Sequence, residues 1–144
     1  MAKKSKKIKE AKNFINLAVV VNKQGKVLMI KRKKEEKGKD GSILRWAFPG
    51  GKQRFNETRE ECVKREVLAE TGYEIKPIRQ ISLRMHPQFP VMIVYHYCEL
   101  LSSKPVLKPS EPHEVEEIKW VDRLKIRELI TTDLNSDVAN ELNI

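Results

Sequence analysis

Only two cysteines, Cys62 and Cys98, occur in 144 residues, far apart and in no CxxC arrangement. Neither a disulfide framework nor a thiolate zinc site is suggested, and both read as small buried hydrophobes. Long apolar runs are missing too: nothing approaches the roughly eighteen consecutive apolar residues of a membrane span, so no membrane partner is expected. The lysine-rich start MAKKSKKIKEAK leads into no apolar segment with a small-residue cleavage site, and a cytoplasmic protein is expected. His86, His96 and His113 lack zinc-ligand spacing and read as packing or surface groups. Acidic residues are outnumbered 20 to 29, for a net charge of +9. That balance favours polyanionic ligands such as nucleotides, polyphosphates or RNA ends. Much of the excess lies in the N-terminal lysines and in KRKKEEKGKD at 31–40, where a solvated tail and a charged loop explain it as well.

What is present fits one compact α+β domain over 13–144, preceded by a basic tail at 1–12 that is expected to be disordered. The run LAVVV within Phe14–Asn22 is β-rich and ends at the turn signal Asn22–Gly25, so Val27–Lys31 is expected as its hairpin partner. A charged loop at 33–42 precedes a short strand, Leu44–Phe48, which Pro49-Gly50-Gly51 stops abruptly. Thr58–Thr71 reads as a helix: Thr58 and Glu61 have capping-box spacing, and Gly72 suits the C-terminal cap. Glu74–Leu83 and Val91–Leu100 are β-rich, and the second, apolar on both faces, is expected in the centre of the sheet. Residues 102–113 read as a loop, Glu117–Val121 as a strand and Leu124–Ile130 as a short helix. This order predicts a mixed sheet covered by helices.

Placing the helix at about 100° per residue puts Glu70 about 40° from Glu66, with Cys62, Val63, Val67 and Ala69 on the same side. Two acids inside an apolar stripe repel each other and lose hydration, a conflict that a bound cation resolves. Oxygen ligands beside a phosphate-bearing substrate suit Mg²⁺ or Mn²⁺. The alternative is ordinary ion pairing, Glu66 with Arg59 or another cation and Glu70 with a lysine.

The stretch GKQRFNETREECVKREVLAETGY, residues 51–73, resembles the Nudix signature: Gly51, Glu57, Arg65, Glu66, Val67, Glu70 and Gly72 fall in register, and Trp46-Ala47-Phe48-Pro49-Gly50 matches the usual lead-in. The resemblance implies an α/β/α sandwich with a mixed sheet and a MutT-like hydrolase that cleaves a diphosphate bond in a nucleoside diphosphate linked to another moiety. It implies Mg²⁺ or Mn²⁺ held by Glu66, Glu70 and the carbonyl of Gly50, with Glu57 and Arg65 paired to orient loop and helix. The general base it implies is a glutamate on that helix or ahead of a late strand; Glu114 is the first choice, with Glu111, Glu116 and Glu117 in competition. Arg84 and His86 are candidate substrate contacts. The partner is expected to be a nucleotide or nucleotide-sugar-like molecule, with an RNA 5′ end and an oligomer both compatible. Ala69 departs from the family pattern, standing where a metal-site glutamate is usual. That leaves open a nucleotide- or RNA-binding module with weakened catalysis.

Overall fold

A computed structural model describes residues 13–37, 43–86, 89–110, 114–130 and 134–144. The expected tail at 1–12, the end of the charged loop at 38–42 and Glu111 lie outside the described residues.

The turn after the first strand forms as its sequence asks. The Asn22 side chain accepts from the main-chain N–H groups of Gln24 and Lys26, at 3.0 and 2.9 Å, and Gly25 takes φ 76°. The strands on either side do not form the expected hairpin. Strand β1 (Phe14–Val20) and β2 (Lys26–Lys37) enter different sheets, joined across the turn by the bridge Val21↔Val27. Both carry continuous apolar runs, LAVV and VLMI, which need cover on two faces; a solvated hairpin would leave one face wet. The loop expected from 33 is also corrected, since β2 continues to Lys37 and pairs with β3 (Ile43–Ala47) on one side.

The first sheet has the order β4-β1-β6-β5, with β4 at Gly50–Lys52, β5 at Ile75–Met85 and β6 at Met92–Leu100. It is mixed, because β1 and β6 run parallel while the other pairs are antiparallel. The apolar β6 is an interior strand, as its two-sided hydrophobicity predicts. The second sheet, β3-β2-β7, is antiparallel, with β7 at Val115–Asp122.

Helix α1 (Arg59–Thr71) buries Val63 and Val67 against Ala18, Val20, Leu28 and Ile75. On the other side Val19, Val27, Met29, Phe48 and Tyr95 pack with Ile126 of α2 (Ile126–Leu129) and with Val138 and Leu142 of α3 (Ser136–Leu142). Alternate residues of the same strands thus face opposite helices, which makes an α+β sandwich of the α/β/α kind. The expected helix at 124–130 is a 3-10 turn, Arg123–Lys125, running into α2. Helix α3, which Asn135 caps by accepting from the N–H groups of Asp137 and Val138, is too short at seven residues to carry a periodic sequence signal.

Candidate active site

Helix α1 is held at both ends. Thr58 accepts from the Glu61 N–H at 3.1 Å while the Glu61 carboxylate accepts from the Thr58 N–H at 2.9 Å, completing the predicted capping box. Gly72 closes the helix at φ 78°, where a Cβ would stand 2.1 Å from the Leu107 carbonyl oxygen. Where the sequence suggested a loop at Pro49-Gly50-Gly51, Gly50 and Gly51 instead open strand β4, and α1 lies against that strand.

Glu66 and Glu70 both reach the start of β4. The Gly50 N–H donates to Glu70 Oε1 at 2.8 Å, and a Cβ on Gly51 would lie 2.6 Å from Glu66 Cδ. Two carboxylates one helical turn apart are thus aimed at two consecutive glycines. The two glycines differ in what an added Cβ would meet. Gly50 sits at φ 152° against β1, with a Cβ position 2.0 Å from the Asn16 carbonyl oxygen, whereas Gly51 leaves room for the Glu66 carboxylate.

Arg65 ties the loop to the helix. Its Nε donates to Glu57 Oε2 at 3.0 Å and its Nη2 to Glu57 Oε1 at 2.6 Å, a two-pronged pair; Nη2 also donates to the Lys52 carbonyl at 3.1 Å. Its Nη1 donates to Glu66 Oε2 at 3.0 Å. Hydrogen bonding to Glu57 is the main cause holding the Arg65 guanidinium above its ordinary range. Burial pushes the Glu57 carboxyl up, but the bonds from Arg65 and from the Arg54 N–H, with the Arg65 charge, bring it below its usual value. The ion pairing weighed for Glu66 is thus formed, with Arg65 as the cation in place of Arg59. Arg59 instead donates to Gln80 at 2.7 Å and lies over the Phe14 ring.

Behind this pair runs a buried polar chain that sequence reading missed. His96 Nε2 lies 2.8 Å from Asn16 Oδ1, Asn16 Nδ2 donates to Gln53 Oε1 at 2.9 Å, and Gln53 Nε2 donates to the Glu57 carbonyl at 3.1 Å. Asn16 and His96 are 0% and 1% exposed. Burial holds the His96 imidazole down at about 4 and pushes the Cys62 thiol, near this chain, up to about 12. The available signal was an asparagine and a histidine inside the otherwise apolar runs FINLAVV and MIVYHYC.

The other candidates lie apart from this cluster in the chain. Glu114 is exposed at the head of β7, its carbonyl accepting from the Lys33 N–H at 3.2 Å. Glu116 is engaged by Arg45 and Lys31, and Glu117 is exposed. Arg84 donates to the Tyr95 hydroxyl at 3.2 and 3.3 Å, and Tyr95 meets Phe48 edge-on, two residues before Gly50. His86 turns to its own loop, its ring against Phe89 and its Nδ1 accepting from the Phe89 N–H. Ala69 lies half-buried, its carbonyl accepting from the Ser110 N–H at 2.8 Å, and lines a cleft of about 580 Å³ with Leu68, Leu107 and Lys108.

Two carboxylates beside a main-chain turn form a hard-oxygen donor set, which fits Mg²⁺ or Mn²⁺ completed by water and phosphate oxygens. Among the described residues no group of three or more His, Cys, Asp or Glu side chains could hold an ion. A cage made by protein side chains alone does not fit there. Nor, among the described residues, is any helix long and apolar enough to cross a membrane.

The family model described as the NUDIX domain matches residues 15–138. A Bacillus subtilis (strain 168) protein named as a candidate 8-oxo-dGTP diphosphatase is 32% identical over 71 residues, spanning 49% of this chain and 42% of that protein. Among solved structures, a NUDIX hydrolase from Nitrosomonas europaea has a TM-score of 0.68 at 17% identity, covering 91% of this chain and 87% of its own. A MutT protein from Methanosarcina mazei Go1 has a TM-score of 0.62 at 21% identity, covering 94% of each chain. At these identities the two structures establish the shared fold.

Proposed function

The chain belongs to the NUDIX family, and from that membership we propose that it is a Mg²⁺- or Mn²⁺-dependent pyrophosphohydrolase cleaving a diphosphate linkage in a nucleotide-like substrate. The observation that carries this reading is the convergence of Glu66 and Glu70 on Gly50 and Gly51. In this reading the two carboxylates and the Gly50 carbonyl hold the ion, and Arg65 with Glu57 fixes the Glu66 carboxylate. The bound ion supplies charge neutralisation at the phosphate oxygens and lowers the cost of ionising water. Water adds through its oxygen to one phosphorus, the bridging P–O bond breaks, and the water proton passes to a carboxylate. Glu114, ahead of the late strand β7, is the first choice for that base, with Glu111, Glu116 and Glu117 in competition.

Arg84, held near Phe48 through Tyr95, is proposed to meet the phosphate or base, with His86 beside it in the chain. A MutT-like role on free nucleotides is the default substrate class, supported by the name of the Bacillus subtilis relative. The test is a panel of dNTPs, 8-oxo-dGTP, ADP-ribose, dinucleoside polyphosphates and 5′-triphosphate RNA. Phosphate or pyrophosphate release that requires Mg²⁺ is expected from at least one substrate, and is expected to vanish in Glu70→Gln. No turnover of any member would refute the enzymatic reading. Ala69 favours a second reading, a binding module with decayed catalysis, which predicts salt-sensitive nucleotide or RNA binding without hydrolysis.

A further inference from the structure

We propose that Gln53, Asn16 and His96 are positioning residues for the metal-facing carboxylate of Glu66, acting through Glu57 and Arg65. This rests on the reading above that Glu66 holds a divalent ion.

The direction of each bond is dictated from one end. The Glu57 carbonyl oxygen can only accept, so Gln53 must turn its Nε2 toward it and leave Oε1 to accept from Asn16 Nδ2. Asn16 then presents Oδ1, which accepts from His96 only if that ring carries its proton on Nε2. Burial keeps the ring neutral, so no second charge enters the chain. The hydrogen-bond series ends at the Glu57 main-chain carbonyl; fixing that backbone holds the Glu57 side chain where its carboxylate accepts from Arg65, and Arg65 donates to Glu66 Oε2. Every member from His96 to Glu57 is buried: His96 1%, Asn16 0%, Gln53 5% and Glu57 8% exposed. In such surroundings, water does not readily replace a lost partner, so a break at one bond is transmitted to the next.

The chain also explains why an asparagine and a histidine sit in two adjacent, otherwise apolar strands. β1 and β6 pair in parallel with Asn16 opposite Val94 and Ala18 opposite His96, which brings the two polar side chains beside each other under α1. The loop carrying Glu57 is anchored there to the sheet, and not only to the helix it serves. Partners that orient a metal ligand change metal affinity by about ten- to a hundredfold when lost.

The test compares wild type with Gln53→Met, which keeps side-chain length and removes the bonds to Asn16 and to the Glu57 carbonyl, using electron paramagnetic resonance titration with Mn²⁺ alone. The expected result is a loss of Mn²⁺ affinity of about tenfold, with little further loss when Gln53→Met is added to Glu57→Gln. Affinity within twofold of wild type, or a full additional loss in the double variant, overturns the proposal. A second readout needs no metal: the Arg65 Nε–H resonance, protected by its bond to Glu57, is expected to enter fast exchange in Gln53→Met. Its persistence also overturns the proposal. If Gln53→Met does not fold, His96→Leu and His96→Gln decide. Gln retains a donor toward Asn16, so it must hold the Arg65 resonance while Leu loses it, and equal behaviour refutes the chain. A wild type that takes up no Mn²⁺, either alone or with nucleotide present, sinks the enzymatic reading instead, and the Arg65 resonance still tests the positioning.

Discussion

Lowering the pH from 7.5 to 4 acts on His96 in a way that can be worked out from its surroundings. The imidazole is 1% exposed, and burial, opposed in part by nearby Glu60 and reinforced by Arg59, lowers its titration from 6.5 to about 4. In the unfolded chain it titrates near the ordinary value. Between those limits the unfolded state binds more protons than the folded state, so stability present above about pH 6.5 is lost as pH falls toward 4. The gap, 6.5 minus about 4, is about 2.5 units. At about 1.4 kcal/mol per unit it corresponds to about 3 kcal/mol, a large part of the 5–15 kcal/mol typical of a small domain. Other groups titrate over the same range, so the quantity to follow is the difference between wild type and His96→Gln in urea unfolding at a series of pH values. His96→Gln removes the proton site while keeping a donor, and wild type should lose about 3 kcal/mol relative to it across the window. A difference that stays constant to within 0.5 kcal/mol would refute the claim that burial governs this histidine.

Gly51→Ala meets only the end of the Glu66 side chain, so it should fold yet bind Mn²⁺ about ten- to a hundredfold more weakly; Gly50→Ala meets the Asn16 backbone at 2.0 Å and should lose at least about 2 kcal/mol in thermal or chemical denaturation. Ala69→Glu should tighten Mn²⁺ binding and raise the hydrolysis rate if the two-carboxylate site limits either one; an unchanged rate with tighter binding would mean Glu66 and Glu70 suffice for the chemistry. Burial pushes both Cys62 and Cys98 up to about 12, so iodoacetamide at pH 8 should label neither thiol in the folded protein and both after denaturation, as read by mass spectrometry.

Local chemistry was legible wherever neighbouring residues decide it. Thr58, Glu61 and Gly72 cap α1 as their spacing demands, Asn22 and Gly25 form their turn, and the helix period sets Glu66 and Glu70 one turn apart, while their meeting with Gly50 and Gly51 was implied by the family resemblance. Partner choice between strands was not legible. An apolar run states that two faces need cover and does not say which strand supplies it, so β1 and β2 read as a hairpin but lie in separate sheets. The same holds for the polar chain. Asn16, Gln53 and His96 are scattered along the sequence, and only the parallel pairing of β1 with β6 and the docking of the Gln53 loop make them hydrogen-bond partners. Residues a turn apart are constrained by backbone geometry alone, whereas residues far apart in the chain are joined only when burial selects one packing among many.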